Sequence, residues 1–332
     1  MKLAILGTGA VGGHFAARLG AASANVSVIA RGETLKAIRS HGLVLEAGSE
    51  RIVANVRATD DPAEIGPVDA VIVTVKATDS KRLAAALAPL VSPSTLVVFA
   101  QNGIPWWYGI GLSPNRRRPP DLSALDAGGH LSKLLQPQQI VGGVINSSNA
   151  MEEPGVVINE SVGSNALHIG AVDDRSDTRI DALRAILTGA RINSPPNSDI
   201  RQAIWRKLTI NMTGSILCLV TGQRAIMIRD DARVGGLFLK LAAEAHAIAA
   251  AHGISLSPAD PDTFRRNAPD HLPSIRQDYD RGRALEIDAL VAAPLAFAKS
   301  AGVAAPHFET LATIAMRVAQ DRGSPVMLAM PE

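Results

Sequence analysis

Three glycines near the start of the chain, Gly7, Gly9 and Gly12, have the spacing G-x-G-x-x-G. A short apolar run, Leu3 to Leu6, precedes them, and a helical pattern with Val11, Phe15 and Leu19 on one face comes after. Strand, tight turn and helix N-terminus in this order suit a pyrophosphate. Gly7 permits the turn, Gly9 lets phosphates approach the backbone, and Gly12 lets the helix pack closely on the strand. The free N–H groups and the positive end of the helix dipole then face the ligand. Gly7, Thr8, Gly9, Ala10, Val11 and Gly12 are therefore candidate dinucleotide ligands.

The end of the next strand, Asn25 to Ala30, refines the expectation. NAD-preferring folds place an Asp or Glu there to hold the ribose 2′-hydroxyl. This chain has Ala30-Arg31-Gly32 instead. Arg31 repels no phosphate and can bind one bidentately, which points to NADP(H). Two more candidates stand at the carboxyl ends of buried strands, where ligands of open α/β sheets bind. Lys76 comes directly after the apolar run Val68 to Val75, and Asn102 just after Thr95 to Ala100.

The elements that must position these residues change character along the chain. Strands alternate with helices up to Pro195-Pro196, and only helices are expected after Asp199. The expected class is an α/β Rossmann-type dinucleotide-binding domain, residues 1–198, plus an all-α domain, residues 199–332. The helices expected in the second are Arg201 to Leu217, Arg233 to His252, Leu272 to Ala301 and Glu309 to Gln320. A Gly-, Pro- and Arg-rich stretch at about 109–137 reads as a long loop, a lid or a subunit contact.

Composition agrees with two soluble globular domains. The 332 residues exceed one compact α/β unit, and 47% apolar against 19% charged residues allows a large core. A net charge of +2 selects no partner, and Arg116-Arg117-Arg118 lacks the aromatic interleaving of a nucleic-acid surface. No apolar stretch free of polar interruption reaches the length of a membrane span. With the first strand starting at residue 2, no signal peptide is expected. The single cysteine, Cys218, excludes an internal disulfide and suits the reducing cytoplasm. The histidines have no metal-ligand spacing, and no metal is expected. Glu244, on a helical face, is a further site candidate.

Five motifs occur together in one order: Gly7-Thr-Gly-Ala-Val-Gly12, Val75-Lys76-Ala77, Gln101-Asn102-Gly103, Ile204-Trp-Arg-Lys207-Leu-Thr-Ile-Asn211 and Leu285-Glu286-Ile287-Asp288. This set resembles the ketopantoate reductase (2-dehydropantoate 2-reductase) family over nearly the whole chain. The resemblance implies NADPH-dependent reduction of ketopantoate to pantoate, for pantothenate and coenzyme A synthesis, by a homodimer. It implies that Lys207 is the catalytic lysine and that Glu286 binds the polar end of the substrate. Asn102, Asn211 and Ser274 are implied as substrate ligands, with Ser215 a further substrate-binding candidate, and Glu286 joins Lys207 in the catalytic pair. Asn102, Lys76 and Glu286 take cofactor-side roles near the nicotinamide, and Arg31 that of the 2′-phosphate ligand. The residue types suit the chemistry. Hydride arriving at a ketone carbon leaves charge on oxygen, which needs a proton donor. Lys207 and Asn211, four apart on an expected helix, share one face.

Two substrate-side positions depart from the family pattern. Ser215 stands where a second substrate-binding asparagine is common, and His271 where an asparagine can assist. A different 2-oxo acid is therefore an alternative substrate. A non-catalytic NADP sensor is disfavoured, because Lys207, Asn211, Ser274 and Glu286 are all present. Replacing Arg31 with alanine is expected to reduce the preference for NADPH over NADH by about tenfold, the worth of one charge-assisted contact. An unchanged ratio of kcat/KM for the two cofactors removes Arg31 from that role.

Overall fold

The computed structural model describes residues 1–76, 79–257, 270 and 272–328. They form two compact units. The first comprises Met1–Gln101 and Gly128–Ile200, and the second Asn102–Ala127 and Arg201–Glu332.

The first unit contains β1 (Lys2–Leu6), α1 (Ala10–Ala21), β2 (Asn25–Ile29), α2 (Gly32–His41), β3 (Leu43–Ala47), β4 (Glu50–Ala54), β5 (Arg57–Thr59), β6 (Ala70–Val73), α3 (Ser80–Leu87) and β7 (Leu96–Ala100). It continues with α4 (His130–Leu134), β8 (Ile140–Asn146), β9 (Asn149–Glu153), β10 (Val156–Asn159), β11 (Ala166–Ala171) and α5 (Thr178–Gly189). Seven strands make the main sheet in the order β11-β8-β7-β6-β1-β2-β5, all parallel except the antiparallel edge strand β11. A second sheet, β4-β3-β10-β9, gathers the hairpin after α2 and two strands from after β8. The Asn149–Glu153 strand has mixed, half-exposed composition and carries no apolar run to announce it.

Helix α1 packs against β1 and β2 of the main sheet and against all four strands of the second sheet. A helix covered on both sides cannot have a polar face. That accounts for its small and apolar composition, AVGGHFAARLGA, buried from Gly12 to Leu19. Burial of His14 in this helix, aided by Arg18, pulls its imidazole down to about 4, so it is neutral at pH 7. Arg18 reaches Glu50 of β4 at 2.7 Å.

In the second unit the chain runs through α6 (Ile200–Ile210), a π turn (Asn211–Ser215), α7 (Ile216–Thr221), α8 (Ala225–Asp230), α9 (Ala232–Ala251), α10 (Ser274–Asp280), a second π turn (Asp288–Ala292), α11 (Ala293–Ala301) and α12 (Pro306–Asp321). Two helices expected as continuous are interrupted. The first widens into a π turn at Asn211. The second stops at Asp280, turns at Gly282 with φ +64°, and restarts at Ile287. Helix α9 is long and apolar enough, by length and composition, to cross a membrane, although Lys240, Glu244 and His246 interrupt its apolar run. Its apolarity serves packing: Phe238, Leu241, Ala242, Ala245, Ile248 and Ala249 are buried, and it contacts α8, α11, α12 and the first π turn.

Residues 102–127 group with the helical unit rather than with the α/β domain expected from sequence order. Trp107 and Tyr108 are buried there, and Arg201 and Trp205 of α6 hold the segment.

The glycine turn is the tightest point of the first unit. A Cβ at Gly12 would overlap the Gly7 carbonyl oxygen, and one at Gly7 (φ +105°) would press on Val75. Gly12→Ala is expected to cost about 1–3 kcal/mol and to lower the thermal midpoint in calorimetry. An unchanged midpoint would mean that the turn repacks freely.

Candidate active site

The parallel register aligns the ends of three strands. Leu6 pairs with Ile29 and with Val73, so Gly7, Arg31 and Val75 emerge at one edge of the main sheet. Their loops are bonded to one another. Thr74 donates its hydroxyl to the Gly7 carbonyl at 2.6 Å, and Thr8 donates to the Ile29 carbonyl at 2.8 Å. Gln101 donates to the Val75 carbonyl at 2.8 Å. Thr8 thus spends its hydroxyl on the turn. Thr74 was not anticipated from sequence, although it is the one hydroxyl within the run Val68 to Val75.

These loops and α3 enclose a cavity of about 380 Å³. Gly7, Thr8, Arg31 and Lys76 line it, together with Thr34, Asp79, Arg82 and the apolar Leu6, Ile29 and Leu83. Gly9, Ala10, Val11 and Gly12 form the turn and the start of α1, with Gly9 at the N-cap. The residues fit an adenosine phosphate. Backbone at Gly9 is open, since a Cβ there would meet nothing within 4 Å, and the cavity combines apolar walls with cationic side chains.

The second unit holds a separate polar cluster. Lys207 on α6 donates from Nζ to the Asn102 side-chain oxygen at 2.8 Å. The Asn102 amide nitrogen donates to Glu286 Oε2 at 3.2 Å. One carboxamide therefore connects an ammonium to a carboxylate, and both partners require the same orientation of the amide. Burial pulls Lys207 down to about 8, against the upward pull of the Glu286 charge. It remains protonated at pH 7 but gives up its proton more readily than an ordinary lysine. Such a group can protonate an oxygen that is gaining negative charge.

Each member is fixed by its neighbours. Glu286 sits between buried Leu285 and Ile287, and the Leu285 amide donates to Ser324 Oγ at 3.0 Å. Asn102 is held through the residues after it: the Ile104 amide donates to the Ala289 carbonyl at 2.9 Å, and Gly103 lies against the Ala289 backbone. Further on, Trp205 donates to the Tyr108 hydroxyl at 2.8 Å. Arg201, fully buried, donates to the Tyr108 and Ile110 carbonyls at 3.0 and 2.6 Å and lies over the Trp107 and Tyr108 rings. Helix α6 so anchors the Asn102 segment and presents Lys207 as well. Arg201 was not anticipated from sequence; the Trp-Trp-Tyr triplet inside a loop-like stretch was the available sign of a buried anchor.

Asn211, four residues after Lys207, opens the first π turn, and Ser215 closes it. Ser215 Oγ lies 3.4 Å from Asn211 Oδ1. Back-bonding by Thr213 to the Thr209 carbonyl at 2.8 Å accompanies the widened turn. The two π turns pack on each other, and α10 packs on the first. Ser274 is exposed at the start of α10, and among the described residues it has no hydrogen bond to Lys207, Asn211 or Glu286. His271 lies outside the described residues. Glu244 is committed elsewhere: its carboxylate accepts from the His307 and Phe308 amides at 3.1 and 2.7 Å and caps α12.

Two family models match, described as ketopantoate reductase PanE/ApbA over residues 3–110 and its C-terminal part over residues 199–319. A 2-dehydropantoate 2-reductase from Mesorhizobium japonicum is 32% identical over 97% of this chain and 99% of its own. The chain belongs to the ketopantoate reductase family. Among solved family members, the 2-dehydropantoate 2-reductase from Geobacter metallireducens superposes with a TM-score of 0.83, at 27% identity over 96% of this chain and 99% of that one. A D-mandelate dehydrogenase in complex with NADH and anilino(oxo)acetate shares the fold, with a TM-score of 0.82 at 22% identity over 98% of this chain and 100% of that one. The protein is thus an oxidoreductase of a dinucleotide-binding, Rossmann-type family.

Gly103 is the weak point of the Asn102 anchor. It has φ +78°, and a Cβ would meet the Ala289 carbonyl. Gly103→Ala is expected to cost about 2–3 kcal/mol, with a matching fall of the unfolding midpoint in urea. A wild-type midpoint would show that the loop is not held by that contact.

Proposed function

We propose that the protein reduces the 2-keto group of 2-dehydropantoate to pantoate with NADPH, as a cytoplasmic homodimer. The observation that carries this reading is the Lys207–Asn102–Glu286 chain, in which burial lowers a lysine to about 8 while hydrogen bonding holds it in place. Bound NADPH supplies the hydride. Arg31 would hold its 2′-phosphate; Lys76, expected near the nicotinamide but lining the same cavity as Arg31, would take a phosphate; and Gly7 to Gly12 form the turn that would admit the pyrophosphate.

Lys207 gives its proton to the ketone oxygen as negative charge develops there, and the neutral amine recovers a proton from solvent. Asn102 keeps the ammonium aimed. Glu286 offsets the desolvation of Lys207 and accepts from a substrate hydroxyl. Asn211 and Ser215, side by side on the π turn, and Ser274 offer hydrogen bonds to the rest of the substrate. Cys218 takes no part: it is buried, and its thiol is pushed up to about 11. A thiol of that kind suits a reducing cytoplasm.

A second substrate reading has one specific ground. Ser215 is shorter than the asparagine common at its position in the family, which leaves room for a different 2-oxo acid. A panel of 2-oxo acids assayed by NADPH oxidation separates the two. Fastest turnover with ketopantoate supports the first, and turnover with another acid in its place supports the second. No turnover with any acid supports a sensor.

Lys207→Ala is expected to lower kcat by about a thousandfold, the range for loss of a positioned proton donor, while dinucleotide affinity in calorimetry stays unchanged. In the intact enzyme the reduction rate should fall as pH rises through about 8, where the ammonium is lost, and the reverse oxidation should rise. Near-normal turnover of the variant, or a reduction rate flat across that range, would exclude Lys207 as the donor.

A further inference from the structure

We propose that Arg82 is a second specificity-determining cation of the dinucleotide cavity, acting with Arg31 on the phosphate carried by the adenosine 2′-oxygen. The proposal rests on the NADPH reading above. Helix α3 presents Asp79, Arg82, Leu83 and Ala86 to the cavity. These positions have the i, i+3, i+4, i+7 spacing of one helix face. Leu83 and Ala86 supply an apolar wall suited to adenine, and Arg82 stands beside Leu83, one turn before Ala86.

The start of the helix is pinned, which fixes the backbone of Arg82, while its exposed side chain borders the cavity. Asp79 is the N-cap, and its Oδ1 accepts from the Arg82 amide at 2.9 Å. The cavity collects Arg31 from the end of β2, Lys76 from the end of β6 and Arg82 from α3, against the carboxylate of Asp79 alone. A dianion matches the resulting excess of positive charge. A free 2′-hydroxyl gains nothing from it.

The availability of the two guanidinium groups strengthens the inference. Several other arginines of this unit are engaged: Arg18 with Glu50, Arg179 with Asp177 and Arg184 with Asp181 as ion pairs, and Arg39 and Arg57 with the Ala58 and Glu64 carbonyls. Among the described residues, neither Arg31 nor Arg82 has an ion-pair partner, although both border the same cavity. Guanidinium forks approaching one phosphate from two walls give bidentate contacts that a single arginine cannot supply.

The test is equilibrium binding of 2′,5′-ADP and of 5′-AMP to the full chain by titration calorimetry, since these ligands differ in the 2′-phosphate alone. Arg82→Ala is expected to weaken 2′,5′-ADP about tenfold, the worth of a charged hydrogen bond, and to leave 5′-AMP unchanged. Arg82→Lys should recover part of the loss. Equal weakening of both ligands would overturn the proposal and make Arg82 a general adenine wall, and no weakening of either would place it outside the site. Failure of the underlying reading looks different: the unmodified protein would then bind the two ligands equally. If it prefers 2′,5′-ADP, and Arg31→Ala removes that preference while Arg82→Ala keeps it, the Arg82 proposal alone falls.

Discussion

An ammonium enclosed by protein is costly unless something nearby prefers it charged. Lys207 meets this constraint with one amide and one carboxylate. Asn102 accepts directly from it, and Glu286 lies on the other side of the same amide. The balance leaves the lysine at about 8, below the ordinary lysine range. The three residues are far apart in the chain, at 102, 207 and 286. Much of the second unit can be understood as the means of keeping them within a few ångströms.

Three devices do that positioning. A buried arginine and a tryptophan on α6 tie down the segment after Asn102. A break in the helix after Asp280 lets Glu286 precede the next helical segment rather than lie along it, so its carboxylate is set by the flanking Leu285 and Ile287. The two π turns come shortly after Lys207 and Glu286 and pack on each other. A π turn inserts one residue into a helix and re-aims the side chains beyond it, and such turns are frequent at functional sites. Asn211 and Ser215, four residues apart, lie 3.4 Å from one another along this turn.

The first unit solves a different problem. A parallel sheet brings Gly7, Arg31 and Lys76 to one edge only if α1 starts in the right place and packs closely. The Gly7–Gly12 contact and the Thr74 hydroxyl fix its start, and the second sheet presses on its far side. The small residues of α1 are therefore required by packing on two faces as well as by the phosphates.

The sequence by itself determined the elements whose physics is local. Gly7 and Gly12 announced the turn because a Cβ at either would collide with neighbouring atoms, and Gly9 leaves the backbone open between them. Continuous apolar runs announced the parallel strands because both their faces are covered. Arg31 placed a cation rather than a carboxylate after β2, because charge at one strand end is a local property. The motif set around Lys207 and Glu286 marked the family. The tertiary structure decided what depends on distant partners. That Asn102 bonds both Lys207 and Glu286, that Glu244 caps α12, and that residues 102–127 join the helical unit through Arg201 could not be read locally. At Asn211 the chain is helical on both sides whether the turn is α or π. Packing against neighbouring helices, which no local pattern encodes, chose between them.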